Sequence, residues 1–315
     1  YEQLLAEFKK PVSMSVYSLR GDIDTIMSPW DSIRYYKSFL HTGFISIEPS
    51  TGYVKAWVGG VNHRHFKYDH VKIGHGRQVG STFKPFVYAM AIQEGYSPCY
   101  QVPNVRTCIT IPGQAPWCPD NADGSKGTGE MITLKKALAN SVNYVTAWVM
   151  QRFGPESVIS LVRRMGITAP IDPVPSICLG TPDISVFEMV AANATFANKG
   201  TYIQPTFITR IEDKNGKVLE EFFPTTDEVF SEEKAYVMIQ LMRGVVDGGT
   251  GGRLRSRHKL FNEIAGKTGT TQNNADGWFM GLTPDLVAGC WTGGEDRSIH
   301  FNSTVDGQGA TMALP

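Results

Sequence analysis

The sequence of 315 residues lacks the charge imbalance of a nucleic-acid-binding protein and the long apolar runs of a membrane span. Lys plus Arg and Asp plus Glu each number 30, so no basic field exists to attract a polyanion, and we expect no nucleic-acid partner. No apolar run reaches the roughly 18–20 residues that cross a bilayer. The opening stretch YEQLLAEFKK has neither an initiator Met nor the apolar centre of a signal peptide. We therefore expect a fragment whose targeting segment lies upstream.

Cysteine is scarce as well. The five cysteines are Cys99, Cys108, Cys118, Cys178 and Cys290, and no two of them form the C-x-x-C pair that a zinc ribbon needs. Cys108 and Cys118 flank the Pro- and Gly-rich stretch ITIPGQAPW, which can bring them together. They are either two free thiols or, if the compartment is oxidising, a disulfide.

The chain is long enough for a sizeable core in one large domain or two smaller ones. Strand patterns lie at both ends of the region after residue 41, with helical patterns between them. The stretch FISIEPSTGYVKAWVGG predicts a hairpin, and AGKTGTTQ, DGWFMGLTPD and LVAGCWTGG predict consecutive strands. Helices are predicted over 81–95, 133–152 and 155–165 and in two later segments, SVFEMVAANATFANKG and SEEKAYVMIQLMRGVVDGG. This order favours a mixed α and β domain in which both chain ends close one antiparallel sheet.

A serine and a lysine open the first of these helices, in the stretch GRQVGSTFKPFVYA. Residues i and i+3 share a helix face, so the Ser81 hydroxyl and the Lys84 amine can be neighbours. Burial would lower the pKa of Lys84 and provide the neutral base that a serine nucleophile needs. Taken alone, however, the pair is more often a capping serine followed by a lysine whose stem covers apolar surface.

Two further stretches complete a known signature. ANSVNYV supplies Ser141 and Asn143, and AGKTGTTQ supplies a strand with Lys267, Thr268, Gly269 and Thr270. S-x-x-K followed by S-D-N and K-T-G marks serine β-lactamases and penicillin-binding proteins, and here the middle element is Ser-Val-Asn. The wide intervals between the three elements leave room for other elements to fold them together.

The strand chemistry is coherent with this signature. Alternation is expected to aim Lys267 and Gly269 to one side and Thr268 and Thr270 to the other. The glycines of the strand permit a substrate backbone to approach and pair with the strand edge. Lys267 supplies positive charge near a substrate carboxylate and near the Ser141 hydroxyl, and the threonine hydroxyls are available to the same carboxylate.

The sequence resembles the transpeptidase domain of class A (bifunctional) penicillin-binding proteins. The resemblance lies in the blocks TGYVKAWVGG, RQVGSTFKPFVYAMA, NSVNYV, FEMVAANATFANKGTYIQP and GKTGTTQNNADGWFMGLTPDLVAGCWTGG. It implies an α+β fold, with a five-stranded antiparallel sheet flanked by helices and an all-helical subregion. It also implies that 1–41 is a connector from a missing N-terminal glycosyltransferase domain and that 42–315 is the penicillin-binding transpeptidase domain. Family members continue beyond TMALP, so we expect a truncated C-terminal helix.

The resemblance implies a role for each catalytic position. Ser81 would attack the penultimate D-Ala carbonyl of a peptidoglycan stem peptide, and an amine from a neighbouring stem would resolve the acyl-enzyme into a cross-link. Lys84 would be the base for acylation. Ser141, with Lys267, would relay a proton to the leaving amine. Asn143 would hold Lys84 and bind the amide side chain of the substrate.

The resemblance also implies the surroundings of the reaction. Thr268, Gly269 and Thr270 would line the substrate groove, and the backbone N–H groups of Ser81 and Thr270 would form the oxyanion hole. β-Lactams would acylate Ser81 because their strained amide resembles D-Ala-D-Ala. No cofactor is implied. The domain would work at the outer face of a bacterial cytoplasmic membrane, in the periplasm where an outer membrane exists, with its membrane anchor in the missing part.

Three other functions share the motif set. A β-lactamase needs a second base to activate water, typically a glutamate on a loop after the middle motif. Glu156 and Glu188 are predicted to lie in helices instead, so we do not expect efficient hydrolysis. A D,D-carboxypeptidase would use the same residues with water in place of an amine. A β-lactam sensor domain would stay acylated, and the upstream connector argues against it.

One motif lies outside the signature. The stretch HRHFKYDHVKIGH contains His63, His65, His70 and His75, and histidines in a polar loop can bind zinc. Their spacing is too loose for a known ligand pattern, so we expect solvated loop residues and no metal.

Overall fold

The computed structural model describes residues 1–72, 74 and 76–315. Its strands are β1 (Val12–Val16), β2 (Ile23–Met27), β3 (His41–Ile47), β4 (Val54–Val58), β5 (Arg77–Gln78), β6 (Gln101–Pro103), β7 (Met131–Thr133), β8 (Asp183–Ile184), β9 (Thr201–Ile203), β10 (Arg210–Glu212), β11 (Val218–Glu221), β12 (Thr226–Glu228), β13 (Ala265–Thr270), β14 (Asp276–Leu282) and β15 (Val287–Gly293). Its α-helices are α1 (Glu2–Phe8), α2 (Pro29–Lys37), α3 (Lys84–Gln93), α4 (Leu134–Ala139), α5 (Asn143–Phe153), α6 (Pro155–Arg164), α7 (Val186–Ala197), α8 (Glu232–Gly248), α9 (Arg253–Ser256), α10 (Thr304–Gly307) and α11 (Gly309–Met312). Short 3-10 helices lie at Gly80–Phe83, Pro175–Leu179 and Gln272–Asn274.

The main sheet has five antiparallel strands in the order β13-β14-β15-β3-β4. Strands β3 and β4 come from the first part of the chain and the other three from its last part, so both ends of the domain close one sheet. The predicted hairpin, the three consecutive strands and the α+β class are confirmed. Strand β13 lies at an edge of this sheet.

Helices cover both faces of the sheet. Gly289 on β15 pairs with Met280, and a Cβ at Gly289 would lie 2.3 Å from Val190 of α7. On the other face of β14, a Cβ at Gly277 would lie 2.8 Å from Met312 of α11. The glycines therefore let helices pack directly on the strands.

The all-helical part is built around α3, which packs on α5, α6 and α8. Its side chains from Lys84 to Ala89 are buried, including the lysine. The predicted helix over 81–95 begins instead as a 3-10 turn and becomes α-helical at Lys84, with Pro85 in the first turn where no N–H is needed. Among the described residues, none of the helices combines the length and apolar character needed to cross a bilayer.

The predicted helix over 133–152 is wrong as one piece. It breaks between α4 and α5, where Ser141 has a φ of 57°. A non-glycine residue in this region cannot continue a right-handed helix. The break turns Ser141 and Asn143 toward Lys84 at the start of α3.

Residues 1–40 form α1, the hairpin of β1 and β2, and α2. Aromatic contacts join this segment to the rest of the chain, because the Tyr17 ring packs on Phe66 and His65. Strand β3 begins at His41. The division of the chain into a connector and a domain stays a prediction.

Candidate active site

Ser81 lies in the 3-10 turn before α3, pressed against the end of β13. Gly80 has a φ of 53°, and a Cβ there would lie 2.8 Å from the Thr270 carbonyl oxygen. A Cβ at Gly269 would lie 2.8 Å from the Val79 carbonyl oxygen. Only glycines allow this approach, so the two motifs are brought together by the backbone itself.

A second backbone contact supports this turn from behind. The Gly80 N–H donates to the Gly180 carbonyl oxygen at 2.9 Å. Gly180 has a φ of 79°, and a Cβ there would lie only 1.8 Å from the Gly80 oxygen. The backbone at Gly180 therefore packs directly against the Ser81 turn and fixes its position.

Lys84 is hydrogen-bonded to the middle motif, and its side chain is fully buried. Its Nζ donates to the Ser141 carbonyl oxygen at 2.5 Å, the Ser141 Oγ at 3.1 Å and the Asn143 Oδ1 at 2.5 Å. Burial lowers its pKa from 10.5 to about 7, with a small opposing effect from Cys178. A sizeable fraction of the amine is thus neutral near pH 7, as a base requires.

Lys267 approaches the same hydroxyl from the strand. Its Nζ donates to the Ser141 Oγ at 3.1 Å and to the Thr268 carbonyl oxygen at 3.0 Å. The side chain is fully buried, and burial together with the charge of Lys84 lowers its pKa well below the usual value. The Ser141 Oγ therefore bridges two amines whose pKa values are both lowered by burial.

Asn143 is fixed by three hydrogen bonds. Its Oδ1 accepts from Lys84, its Nδ2 donates to the Asp120 carbonyl oxygen at 2.7 Å, and its backbone N–H donates to the Asn121 Oδ1 at 2.9 Å. The sequence interpretation missed Asp120 and Asn121, because nothing local to the PDN stretch indicates a contact with a residue more than twenty positions away.

The predicted alternation along β13 is confirmed. Lys267 and Gly269 face the helices, while the Thr268 and Thr270 side chains lie on the other side. The Thr268 hydroxyl lies 2.6 Å from the Thr250 hydroxyl, and the Thr270 hydroxyl accepts from the Gly309 N–H at 2.9 Å. Each threonine hydroxyl thus has one protein partner and retains capacity for another. Thr250, in the GGTGG run after α8, was also missed.

The structure brings all eight predicted residues to one place, in two connected groups. Lys84, Ser141, Asn143 and Lys267 form one hydrogen-bonded cluster. Ser81, Thr268, Gly269 and Thr270 lie at the adjoining contact between the 3-10 turn and β13. In the part of the chain that the structure describes, the Ser81 side chain has no hydrogen-bond partner, and it is partly exposed.

The two glutamates considered for water activation lie in helices, as predicted. Glu156 is in the first turn of α6, and Glu188 forms a capping box with Ser185 at the start of α7. The Glu188 carboxylate also accepts from Thr168 and from the Ala169 N–H. Its oxygens are committed to holding a loop.

The remaining expectations have mixed outcomes. Cys108 and Cys118 form a disulfide, which settles the alternative left open above.

The expectation of solvated loop histidines is wrong for His70, which is buried and stacks on Trp291, because it covers Gly43 on β3. His63 is exposed, and the half-buried His65 pairs with Asp22 at 2.9 Å. His75 lies outside the described residues, within which no group of three or more His, Cys, Asp or Glu is placed to hold a metal ion.

Comparisons with known proteins place this site in a family. The model of the penicillin binding protein transpeptidase domain matches residues 42–173 and 176–288, and the model of the penicillin-binding protein middle domain matches residues 1–40. Penicillin-binding protein 2D of Bacillus subtilis is 36% identical over 277 residues, and the match covers 85% of this chain and 38% of that protein. Penicillin-binding protein 1A of Aquifex aeolicus is 34% identical over 278 residues, with 88% and 37% covered. The chain thus spans little more than a third of these relatives.

Solved structures agree. Penicillin-binding protein 1A from Haemophilus influenzae superposes with a TM-score of 0.78 at 24% identity, and the match covers 86% of this chain and 46% of that one. At this sequence identity, the likeness shows a shared fold alone. The penicillin-binding protein PonA1 from Mycobacterium tuberculosis gives a TM-score of 0.71 at 27% identity, with 83% and 71% covered. Because the transpeptidase model matches most of the chain, this protein belongs to the penicillin-binding protein family and carries its transpeptidase domain.

Proposed function

We propose that this domain is a serine D,D-transpeptidase that cross-links peptidoglycan stem peptides through an acyl-enzyme on Ser81, and that β-lactams acylate the same serine. The observation that carries the proposal is the Ser141 Oγ held 3.1 Å from both Lys267 and Lys84, the residue that directly follows the Ser81 turn. A hydroxyl between two buried amines is suited to move protons between a nucleophile and a leaving group.

Acylation begins when the Ser81 Oγ attacks the penultimate D-Ala carbonyl of a stem peptide. Neutral Lys84 takes the hydroxyl proton, and the backbone N–H groups of Ser81 and Thr270 receive the negative charge that develops on the carbonyl oxygen. The Ser141 hydroxyl then gives its proton to the departing D-Ala amine and is replenished from Lys84 or Lys267. The peptide bond breaks and an ester to Ser81 remains.

The second half-reaction reverses these steps with a different amine. An amino group from a neighbouring stem peptide attacks the ester, and its proton passes through Ser141 to the lysines. The Ser81 oxygen leaves with the proton that Lys84 returns. A new peptide bond joins the two stems, and the serine is regenerated.

Substrate binding follows from the free edge of β13. The peptide pairs with this edge as an added strand. The Thr268 and Thr270 hydroxyls and the positive charge of Lys267 receive the terminal carboxylate. Asn143 binds the substrate amide through the Nδ2 hydrogen that does not reach Asp120.

The surroundings of the domain belong to the same proposal. We infer that 1–41 connects the domain to a glycosyltransferase domain and a membrane anchor in the full-length protein. The working location is then the outer face of a bacterial cytoplasmic membrane, in the periplasm where an outer membrane exists. The Cys108–Cys118 disulfide supports an oxidising compartment of this kind.

Two hydrolytic alternatives share the acylation step. A β-lactamase is disfavoured because Glu188 is held by Ser185 and Thr168, and Glu156 lies in the first turn of helix α6. A D,D-carboxypeptidase differs only in using water as the acceptor.

The test is incubation of the protein with benzylpenicillin, followed by intact mass over hours, with Ser81→Ala in parallel. A stable adduct of one penicillin that Ser81→Ala lacks is the expected result. Rapid loss of the adduct with release of penicilloate would indicate a β-lactamase instead. A second assay with a stem pentapeptide and an amine acceptor separates cross-linked product from simple D-Ala release.

A further inference from the structure

Helix α5 begins without a capping side chain of its own. Its N-cap residue is Val142, which cannot accept a hydrogen bond from the first free N–H groups of the helix. The Asn121 Oδ1 accepts from the N–H of Asn143, the first helical residue, at 2.9 Å. A residue from a distant loop therefore supplies the missing acceptor.

The orientation of Asn121 is itself fixed. Its Nδ2 donates to the Ser125 carbonyl oxygen at 3.1 Å and lies 3.4 Å from the Ser125 hydroxyl. With the amide nitrogen engaged there, the amide oxygen must face Asn143. The loop from Asp120 to Ser125 is thus held by a hydrogen bond within the loop, from Asn121 to Ser125, and by a second one to the start of α5.

The adjacent backbone oxygen sets the orientation of the Asn143 side chain. The Asp120 carbonyl accepts from the Asn143 Nδ2 at 2.7 Å, which turns the Asn143 Oδ1 toward Lys84. If the start of α5 moves, both contacts change together. The position of the Lys84 amine, 2.5 Å from that Oδ1, depends on this arrangement.

We propose that Asn121 is a positioning residue of this active site: by holding the Asn143 backbone N–H, it orients the Asn143 side chain and, through it, the Lys84 amine. The inference rests on the function proposed above and extends it to a residue outside the three motifs. Asn121 itself contacts neither Lys84 nor Ser81 in the described hydrogen-bond network.

The consequence for Asn121→Ala follows from these contacts. A displacement of about 1 Å in a catalytic group costs roughly 100-fold in rate, so we expect acylation to slow between about tenfold and 100-fold. The Asn143 Oδ1 accepts a hydrogen bond from Lys84 and stabilises its protonated form, so moving this oxygen away lowers the Lys84 pKa. The acidic limb of the pH–rate profile should therefore move to lower pH. The other titratable groups that face Lys84, Lys267 and the Cys178 thiol, are unchanged in the variant.

The experiment measures the second-order acylation rate with a fluorescent penicillin from pH 5.5 to 9, together with thermal unfolding of each variant. Asn121→Asp keeps an acceptor for the Asn143 N–H and should stay within about threefold of the wild type. Asn140→Ala is the matched control, because the exposed Asn140 side chain caps the end of α4 by donating to the Lys136 carbonyl oxygen and has no other hydrogen bond to a described residue. It should leave the rate and the acidic limb unchanged.

A coupling measurement keeps the proposal falsifiable if Asn121→Ala loses stability. In an Asn143→Ala background, Asn121→Ala should cost little further rate, because the side chain through which it acts is gone. The proposal is overturned if Asn121→Ala acylates like the wild type, if it slows acylation without moving the acidic limb, or if its full effect persists with Asn143→Ala. If the wild type itself is not acylated on Ser81, the proposed function fails first and the inference fails with it.

Discussion

The Nζ atoms of Lys84 and Lys267 lie at the same distance, 3.1 Å, from one hydroxyl oxygen, the Ser141 Oγ. Both lysines are fully buried, so lost hydration lowers the pKa of each amine, and the charge of Lys84 lowers that of Lys267 further. Protonation of one amine therefore disfavours protonation of the other, and the two titrate as a coupled pair. The fold maintains this arrangement at a cost in stability.

That cost predicts how stability depends on pH. The pKa of Lys84 falls from 10.5 in the unfolded chain to about 7 in the folded protein, so the unfolded state binds more protons between these values. The free energy of unfolding should accordingly rise with pH between pH 7 and 8.5. Urea unfolding at half-unit intervals measures this slope. In Lys84→Met the slope should be smaller, and an equal slope in the two proteins would contradict the assignment.

The backbone of Ser141 predicts a difference between two substitutions. Its φ of 57° favours glycine, so Ser141→Gly should be more stable than Ser141→Ala by about 1 kcal/mol. Both variants lose the hydroxyl that bridges Lys84 and Lys267 and should acylate at least about 100-fold more slowly. Chemical unfolding and a fluorescent penicillin provide the two measurements. Equal stability of the two variants would show that the left-handed backbone at position 141 does not lower the free energy of unfolding of a residue with a Cβ atom.

The sequence predicted which residues lie together at the candidate site better than it predicted the backbone that positions them. The three motifs and the strand alternation placed Lys84, Ser141 and Lys267 correctly, because i, i+3 spacing and strand alternation are local rules. Ser141 and Asn143 were predicted to lie between helical patterns, but the left-handed backbone of Ser141 was missed, because it is stabilised by the tertiary contact with Lys84 and not by a local pattern.

The hydrophobic periodicity of the sequence does not predict contacts between distant loops. Asn121 and Thr250 lie in polar stretches whose composition indicates loops and nothing about their partners. His70 was expected in solvent because its neighbours are polar, whereas its ring packs on Trp291 across the sheet. Such contacts depend on the fold as a whole, and no residue within a short window specifies them.

The Cys108–Cys118 disulfide predicts a stability effect of defined size. It closes a loop ten residues long in sequence separation, for which chain entropy gives about 3 kcal/mol. Replacing both cysteines by serine should lower the free energy of unfolding by up to this amount. Cys99→Ser is the control, because Cys99 is a free and exposed thiol. Equal losses in the two variants would mean that the bond contributes nothing beyond the side chains.

A matched pair of glycines tests how the Ser81 turn is held. Gly180 and Gly95 have φ values of 79° and 87°, so alanine is strained at both positions. The strain alone should cost about 1 kcal/mol in Gly95→Ala, where an added Cβ meets nothing within 4 Å. In Gly180→Ala the Cβ would lie 1.8 Å from the Gly80 oxygen, and the backbone must move.

The two variants should therefore differ in both stability and acylation. Overpacking of this kind adds roughly 1–3 kcal/mol to the strain, so Gly180→Ala should be clearly less stable than Gly95→Ala. Because the displaced atom belongs to the residue before Ser81, acylation by penicillin should slow in Gly180→Ala and stay unchanged in Gly95→Ala. Urea unfolding and the penicillin assay, run on both proteins, measure the two effects. A Gly180→Ala protein that acylates at the wild-type rate would mean that the Ser81 turn is positioned from the β13 side alone.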